Sequence, residues 1–353
     1  MLLTCQAGFE SLFARELAEL HHTAACEQGP GWVFTANVAN AAGATEDAQD
    51  SDTGDPSTLS QLVFAHLTLL NPIERRGDSV NSLASSVIDF FRAAIREERI
   101  ESPWPSIWLG PERVGLGRRT TAVENAFAEL LKKKLSRVAK LATPELPRCV
   151  TGGRVRGLFV FFADFGRVFV SREAFVHGPR RMADDERAPS RSYLKIEEAY
   201  LVIGREPQAG ETICDLGAAP GGWSYSAAKR GAQVVAVDNG PLRGGALDHP
   251  QIEHRREDAF KFAPAAGHRF DWLFCDMLEE PHHVVRQVVE PWFARRWCRR
   301  FVINLKFGRV DPIALLGELR APDSPFARHA SSVRIHHLYH DREEFTVGGE
   351  VNA

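Results

Sequence analysis

Apolar positions fall into two blocks along this chain, separated by a stretch with almost no apolar periodicity. In the first block, Leu2–Cys5 reads as a short strand. Phe9, Leu12, Phe13, Leu17 and Leu20 then share one helical face between Gly8 and Leu20. Trp32–Val38 is predicted to be a second strand, and the acidic, small-residue stretch Ala44–Pro56 a mobile loop. The apolar run Gln61–Leu70 fits strand and helix equally well. Val80–Ile95 is amphipathic, with Ile88, Phe90, Phe91 and Ile95 as candidate core; Ser106–Leu109 reads as a strand and Ala122–Leu141 as a helix. Gly157–Phe162 and Arg167–Ser171 flank the turn Ala163-Asp-Phe-Gly166 and predict a hairpin. This is the order of an α+β region, with Gly110–Gly117 as a loop inside it.

The stretch His177–Pro189, rich in proline, arginine and acidic residues, marks the best domain boundary. After it, Ser190 or Ser192 can cap a helix running to Tyr200. Strand-like runs recur at Thr212–Asp215, Gln233–Asp238, Phe270–Asp276, Phe301–Lys306, Val333–Leu338 and Glu344–Val347, with helix-compatible segments between most of them. That rhythm predicts a doubly wound α/β sheet. The last run follows its predecessor too closely for a helical crossover, so it should pair antiparallel.

Composition narrows the class. At 353 residues and 44% hydrophobic, the chain should fold as two or more domains with sizeable cores. It holds no apolar run near the roughly 18–20 residues of a membrane span, and its first residues lack the basic-then-apolar form of a signal peptide. Six cysteines (Cys5, Cys26, Cys149, Cys214, Cys275 and Cys298) without close pairs fit reduced thiols in a cytoplasmic protein. The net charge of −3 is uneven, for residues 101–190 carry 16 Lys/Arg against 10 Asp/Glu while residues 1–100 carry 6 against 14. Lys132, Lys133, Lys134, Arg137 and Lys140 lie on one predicted helix, which is either a solvated face or a contact for phosphates.

The candidate chemistry lies near strand ends of the second block, where open α/β sheets bind ligands. Glu211-Thr-Ile-Cys214 runs into Asp215-Leu-Gly-Ala-Ala-Pro-Gly-Gly-Trp-Ser224, a strand, a glycine turn and the start of a helix. The spacing is neither G-x-G-x-x-G nor a phosphate loop, so the turn suits a ligand without a pyrophosphate. Asp238 ends the next strand, where a carboxylate can accept from both hydroxyls of a ribose or simply form a turn. Asp258 is placed to receive an adenine amino group. Asp276 and Lys306 each close a strand, and Glu344 opens the last one. His282-His283 and His336, His337 and His340 lack an accompanying ligand set, so no metal is expected.

The acid-then-glycine loop resembles the first motif of S-adenosylmethionine-dependent methyltransferases. The ordered set Ser190-Arg-Ser-Tyr-Leu-Lys195, Asp215–Ser224, Asp276, Lys306 and Arg342-Glu-Glu344 resembles the Lys-Asp-Lys-Glu tetrad of RNA ribose 2′-O-methyltransferases. Within that group, Leu194-Lys-Ile-Glu-Glu, Val237-Asp-Asn-Gly-Pro241, Cys275-Asp-Met277, Asn304-Leu-Lys306 and Leu338-Tyr-His-Asp-Arg-Glu-Glu344 are similar to the RlmM family. Those bacterial enzymes methylate a cytidine ribose in the peptidyl-transferase region of 23S ribosomal RNA. The likeness is dense over 189–347 and looser before it.

The resemblance implies a Rossmann-like methyltransferase domain over 190–353, with a mostly parallel seven-stranded sheet whose last strand is antiparallel. Before it would come a ferredoxin-like subdomain (1–60), a THUMP-like RNA-binding region (61–176) and a linker (177–189). It implies Lys195, Asp276, Lys306 and Glu344 as the catalytic set. S-adenosylmethionine would be held by Ser192, Asp215, Gly217, Ala219, Pro220, Gly221, Gly222, Trp223, Asp238, Asp258 and Asp276, with Trp223 packing its helix rather than stacking on a base. Lys306 would act as base or orienting group and Lys195 would hold the ribose. A free lysine, with a pKa of about 10.4, is a poor base at neutral pH, but burial and a neighbouring ammonium can lower it.

The partner would be 23S ribosomal RNA or a large-subunit precursor, and the protein a monomer or weak homodimer with no membrane attachment. Two departures from the family bear on RNA contact: Phe307-Gly-Arg-Val-Asp-Pro312 is less basic than usual, and the chain ends without a long basic tail. The rival reading is a non-catalytic RNA-binding ribosome assembly factor that retained the fold. A nucleotide-dependent oxidoreductase is disfavoured by the missing dinucleotide glycines.

Overall fold

The computed structural model describes residues 1–35, 56–147 and 152–353. They form two compact units, Met1–Gly178 and Pro179–Ala353. The stretch Ala44–Pro56 lies outside the described residues except for Pro56, which opens a short helix, Pro56–Leu59.

Strands β1 (Leu2–Thr4), β2 (Ala25–Gly29), β3 (Trp32–Thr35), β4 (Leu67–Leu70), β5 (Ile73–Arg76), β6 (Trp104–Leu109), β7 (Ala142–Thr143), β8 (Gly153–Asp164) and β9 (Arg167–Val176) belong to the first unit. They join in one sheet of order β2-β3-β1-β4-β9-β8-β6-β7, with β5 added on β9. The regions 1–60 and 61–176 share this sheet, because Leu2 of β1 pairs with Leu69 of β4. Helices Val80–Ala94 and Leu116–Lys134 contribute Leu83, Val87, Phe91, Val123, Phe127 and Leu131 to one core with the β8 residues Leu158, Val160 and Phe162. The alternate β8 residues Phe159 and Phe161 build a second core with Leu2, Trp32 and Phe169. The period of two along a strand separates the cores.

Three local expectations change. The helix expected at Ala122–Leu141 begins at Leu116 and ends at Lys134, so Leu116 and Gly117 belong to it and not to a loop. Its buried stripe of Leu116, Val123, Phe127 and Leu131 is broken in the sequence by Gly117, Arg118 and Arg119, which hides its first turns. The run Gln61–Leu70 becomes strand only from Leu67. Upstream, Val63 and Phe64 donate their backbone N–H groups to the buried Glu16 carboxylate at 2.7 and 3.1 Å, which satisfies them without a regular element. Strands β2, β5 and β7 carry too few apolar residues to announce themselves.

In the second unit, β10 (Thr212–Leu216), β11 (Gln233–Val237), β12 (Ile252–Arg255), β13 (Phe270–Cys275), β14 (Cys298–Lys306), β15 (Ala330–His336) and β16 (Glu344–Val351) form a seven-stranded sheet of order β12-β11-β10-β13-β14-β16-β15. The pairs β10–β11, β11–β12, β10–β13 and β13–β14 are parallel. The last strand inserts antiparallel between β14 and β15, as its short connection requires. Central β13 is apolar on both faces: Leu273 and Cys275 are buried on one, and Trp272 and Phe274 pack with Tyr200 and Trp223 on the other, each such side chain contributing about 1.5–3 kcal/mol on burial. Edge strand β12, Ile-Glu-His-Arg, was absent from the six expected runs because only Ile252 is apolar. No helix among the described residues is long and apolar enough to cross a membrane.

Candidate active site

Reversal of the winding order between β10 and β13 opens the carboxyl edge of the sheet, and the expected residues gather there. Asp276 follows β13 directly, Lys306 ends β14, and Glu344 begins β16. Lys306 and Glu344 are direct cross-strand partners in the antiparallel pair. The Lys306 Nζ donates to Asp276 Oδ1 and to Glu344 Oε2. From the helix Ser192–Ile203, the Lys195 Nζ reaches Glu344 Oε1 and lies 4.0 Å from Asp276 Oδ2. The four residues alternate in charge around one small centre. Side-chain exposure is 4% for Glu344 and 19% for Lys306, so the centre is shielded but Lys306 still meets solvent.

The electrostatics correct one expectation. Burial lowers the Lys306 pKa, but the Asp276 and Glu344 carboxylates more than offset it and hold the ammonium well above its ordinary value. Burial likewise pushes the Glu344 carboxyl up, and Lys306 and Lys195 together bring it below the usual range. Lys195 does not make Lys306 a ready base, since its charge is engaged on the far oxygen of Glu344. Both ends of the Lys306–Glu344 pair are therefore charged at neutral pH.

A relay behind the centre escaped the sequence reading. Asn304 Nδ2 donates to Asp276 Oδ1 at 3.3 Å, and Asn304 Oδ1 accepts from Thr346 Oγ1 at 2.6 Å. Thr346 also lies 3.0 Å from Asp341 Oδ2, which receives the Leu338 N–H at 2.9 Å. The available signal was period: Asn304 and Lys306 are two apart in β14, as are Glu344 and Thr346 in β16, so each pair shares a face.

The glycine loop occupies the neighbouring strand ends. Gly217 has φ +77°, and a Cβ there would run into the Met277 side chain; Gly221 has φ +106°, and its Cβ would sit 2.5 Å from Ala246 Cβ. The Ala219–Pro220 peptide is cis. Gly222 leaves room for Ser192, whose Oγ lies 2.8 Å from a Cβ built at Gly222 and 2.8 Å from Ser190 Oγ. Trp223 is buried, donating its indole N–H to the Ser192 carbonyl at 3.0 Å and meeting Phe274 edge-on. Its side chain packs the helix, as expected, which leaves its backbone as the part able to meet a ligand.

Asp215 is buried and accepts from Ser224 Oγ at 2.6 Å. Burial raises its pKa to about 7, with Asp276 and Asp238 adding to the rise. Asp238 takes the Ala219 N–H on Oδ2 at 3.0 Å and the Gly240 N–H on Oδ1 at 2.7 Å, which shapes the loop and leaves each oxygen a second lone pair. Asp258 accepts from Phe260 N at 3.0 Å and faces Lys261 at 3.4 Å. Three strand-end acids, Asp215, Asp238 and Asp276, thus crowd one edge, and the loop itself carries no lysine or arginine. This set of acceptors fits a positively charged nucleoside such as S-adenosylmethionine and not a pyrophosphate.

Residues 188–293 match the model of the FtsJ-like methyltransferase family. The ribosomal RNA large subunit methyltransferase M of Chromohalobacter salexigens is 32% identical over 98% of this chain and 96% of its own length. The chain belongs to this methyltransferase family. The relative of the same name from Laribacter hongkongensis is 36% identical over 69% of each chain, and that from Halorhodospira halophila 32% identical over 98% and 95%. A solved methyltransferase complexed with S-adenosylhomocysteine, SMU.472, aligns over 100% of this chain and 98% of its own at a TM-score of 0.39 and 10% identity, too distant to bear on function. Membership makes the second unit an S-adenosylmethionine-dependent methyltransferase domain, the fold and cofactor expected from the glycine loop.

Proposed function

We propose that this protein methylates the 2′-hydroxyl of a cytidine ribose in 23S ribosomal RNA, within the peptidyl-transferase region, and does so in the cytoplasm. The observation that carries the reaction type is the charged centre of Lys195, Asp276, Lys306 and Glu344 beside a glycine loop suited to S-adenosylmethionine. That cofactor supplies a methyl group already activated by a positively charged sulfur. The protein has to align the ribose oxygen and dispose of its proton.

Lys306 performs the alignment. An ammonium has three N–H donors; two are aimed at Asp276 and Glu344, and the third is left to hold the ribose oxygen. Held above its ordinary pKa, the ammonium does not take a proton in the resting centre. As the oxygen gains its third bond its proton becomes strongly acidic, and it passes to the carboxylate of Asp276 or Glu344 that Lys306 holds beside it. Lys195 holds Glu344 in place and contacts the ribose. Ser192, Asp215, Gly217, Ala219, Pro220, Gly221, Gly222 and Trp223 (through its backbone) line the cofactor side, with Asp238 on the ribose and Asp258 on the adenine. The front unit, as a ferredoxin-like and THUMP-like module, supplies RNA contacts through its basic helix.

The test is transfer of labelled methyl to large-subunit RNA and to precursor particles from cells lacking the protein, followed by nucleoside analysis. Label is expected in 2′-O-methylcytidine. Label in a methylated base, or no transfer to either substrate, would overturn the reading and leave the assembly-factor alternative.

A further inference from the structure

The helix that supplies Lys195 also carries an acid, Glu198, that the chemistry leaves unused. Glu198 follows Lys195 by three positions, close to it on the helix surface, and is fully buried. Its Oε1 accepts the backbone N–H groups of Arg180 at 2.8 Å and Tyr339 at 2.9 Å, and its Oε2 accepts that of His340 at 3.2 Å. One side chain thus gathers three separate stretches of chain: the catalytic helix, the first residues of the second unit, and the turn between β15 and β16. An acid that meets three backbone N–H groups fastens chain segments in a way that an apolar side chain of equal size could not.

The turn is tied to residues 180–182 twice more. Met182 N–H donates to His340 Nε2 at 2.9 Å, and the Arg181 guanidinium lies over the Tyr339 ring at 5.4 Å. The same turn runs directly into the centre. His337 Nε2 lies 2.7 Å from the Arg342 carbonyl oxygen, and the Arg342 N–H donates to Glu344 Oε1 at 3.1 Å. Glu344 Oε1 is the oxygen that Lys195 engages. Burial, the larger influence, raises the Glu198 carboxyl to about 8 against the pull of its donors. Protonated or not, each of its oxygens keeps a lone pair for them.

We infer that Glu198 is a positioning residue for methyl transfer. It locks the turn that delivers Glu344 to the helix that delivers Lys195, and through Arg180 and Met182 it makes the register of that pair depend on how the start of the second unit is docked. The inference rests on the proposed role of the Lys195–Glu344 centre.

Single-turnover transfer to large-subunit RNA, with RNA and S-adenosylmethionine both saturating, isolates the chemical step. Glu198→Gln should slow it about 10- to 100-fold, the size expected of a displacement on the order of 1 Å, while calorimetric affinity for S-adenosylmethionine is unchanged. The decisive measurement is a double-mutant cycle with Glu344→Gln. If Glu198 acts through Glu344, Glu198→Gln costs little more once Glu344 is altered. Losses that simply multiply, or a normal rate in folded Glu198→Gln, overturn the inference. Should that variant not fold, the milder His340→Ala takes its place in the cycle, with the same non-additivity expected and the same multiplying losses, or a normal rate, counting against it. Lack of transfer by the unaltered protein would remove the ribose-methylation reading itself, and this inference with it.

Discussion

Lys306 is the side chain on which the proposed chemistry turns, and its surroundings assign it a cation's work. Two carboxylates face its ammonium, and their attraction outweighs the burial that would otherwise drive the proton off. Removing the side chain leaves Asp276 and Glu344 facing each other with Lys195 as the remaining cation of the tetrad. Lys306→Ala should therefore lose alignment and proton transfer together, slowing single-turnover methyl transfer by about 10²–10⁴-fold. Affinity for S-adenosylmethionine should hold, because the glycine loop follows β10 rather than β14. Near-normal transfer by the folded variant would show that Lys306 belongs to a structural ion-pair cluster.

The β10 loop is a strand end bent back on itself, and the bend is what its glycines permit. Gly221 N–H returns to the Ala218 carbonyl at 2.6 Å and closes the turn on its own backbone, while Gly217 N–H donates to the Val237 carbonyl at the end of β11 at 3.0 Å. Gly221, at φ +106°, is in a conformation that an L side chain rarely adopts, and its missing Cβ gives Ala246 its place. Gly221→Ala should cost about 1–3 kcal/mol of stability from backbone strain alone. The loop should shift as it relaxes, weakening S-adenosylmethionine binding. Urea denaturation and calorimetry read the two effects, and a variant with unaltered stability and affinity would mean that the loop bends without needing glycine there.

Across the whole molecule, the basic helix belongs to one unit and the acidic cofactor edge to the other. The one helix expected to carry all five basic residues is divided: Lys132, Lys133 and Lys134 end the helix Leu116–Lys134, while Arg137 lies in a separate short helix, Ser136–Ala139, with Lys140 just after it. All five are exposed, and Lys134 comes within 3.8 Å of Asp89. An exposed pair at that distance is worth about 0–1 kcal/mol, so charge reversal there should leave the fold intact. If this face meets RNA phosphates, reversing Lys132, Lys133 and Lys134 should weaken RNA binding. The salt dependence should flatten too, by roughly 0.7–0.9 in log–log slope for each phosphate no longer neutralised. Binding of S-adenosylmethionine should not change. An unaltered slope would identify the face as solvated surface.

Local patterns sufficed for the glycine loop, the six main strands of the second unit and the acids and lysine at their ends. A tight turn needs glycine where the backbone goes left-handed, and a buried parallel strand needs a continuous apolar run; both conditions sit within a few neighbouring residues. The antiparallel last strand was equally legible, because Leu338–Glu343 is too short to cross the sheet. Edge strand β12 was not, since pairing with β11 on one side holds it with a single apolar residue. Nor could the residues alone disclose that Glu16 and Glu198 are spent on backbone N–H groups, or that Asn304, Thr346 and Asp341 stand behind Asp276. The charge state of Lys306 shows why: burial pushes it one way and two carboxylates from other strands push it the other. Only the folded chain brings Asp276 and Glu344, 30 and 38 positions away, close enough for the second effect to win.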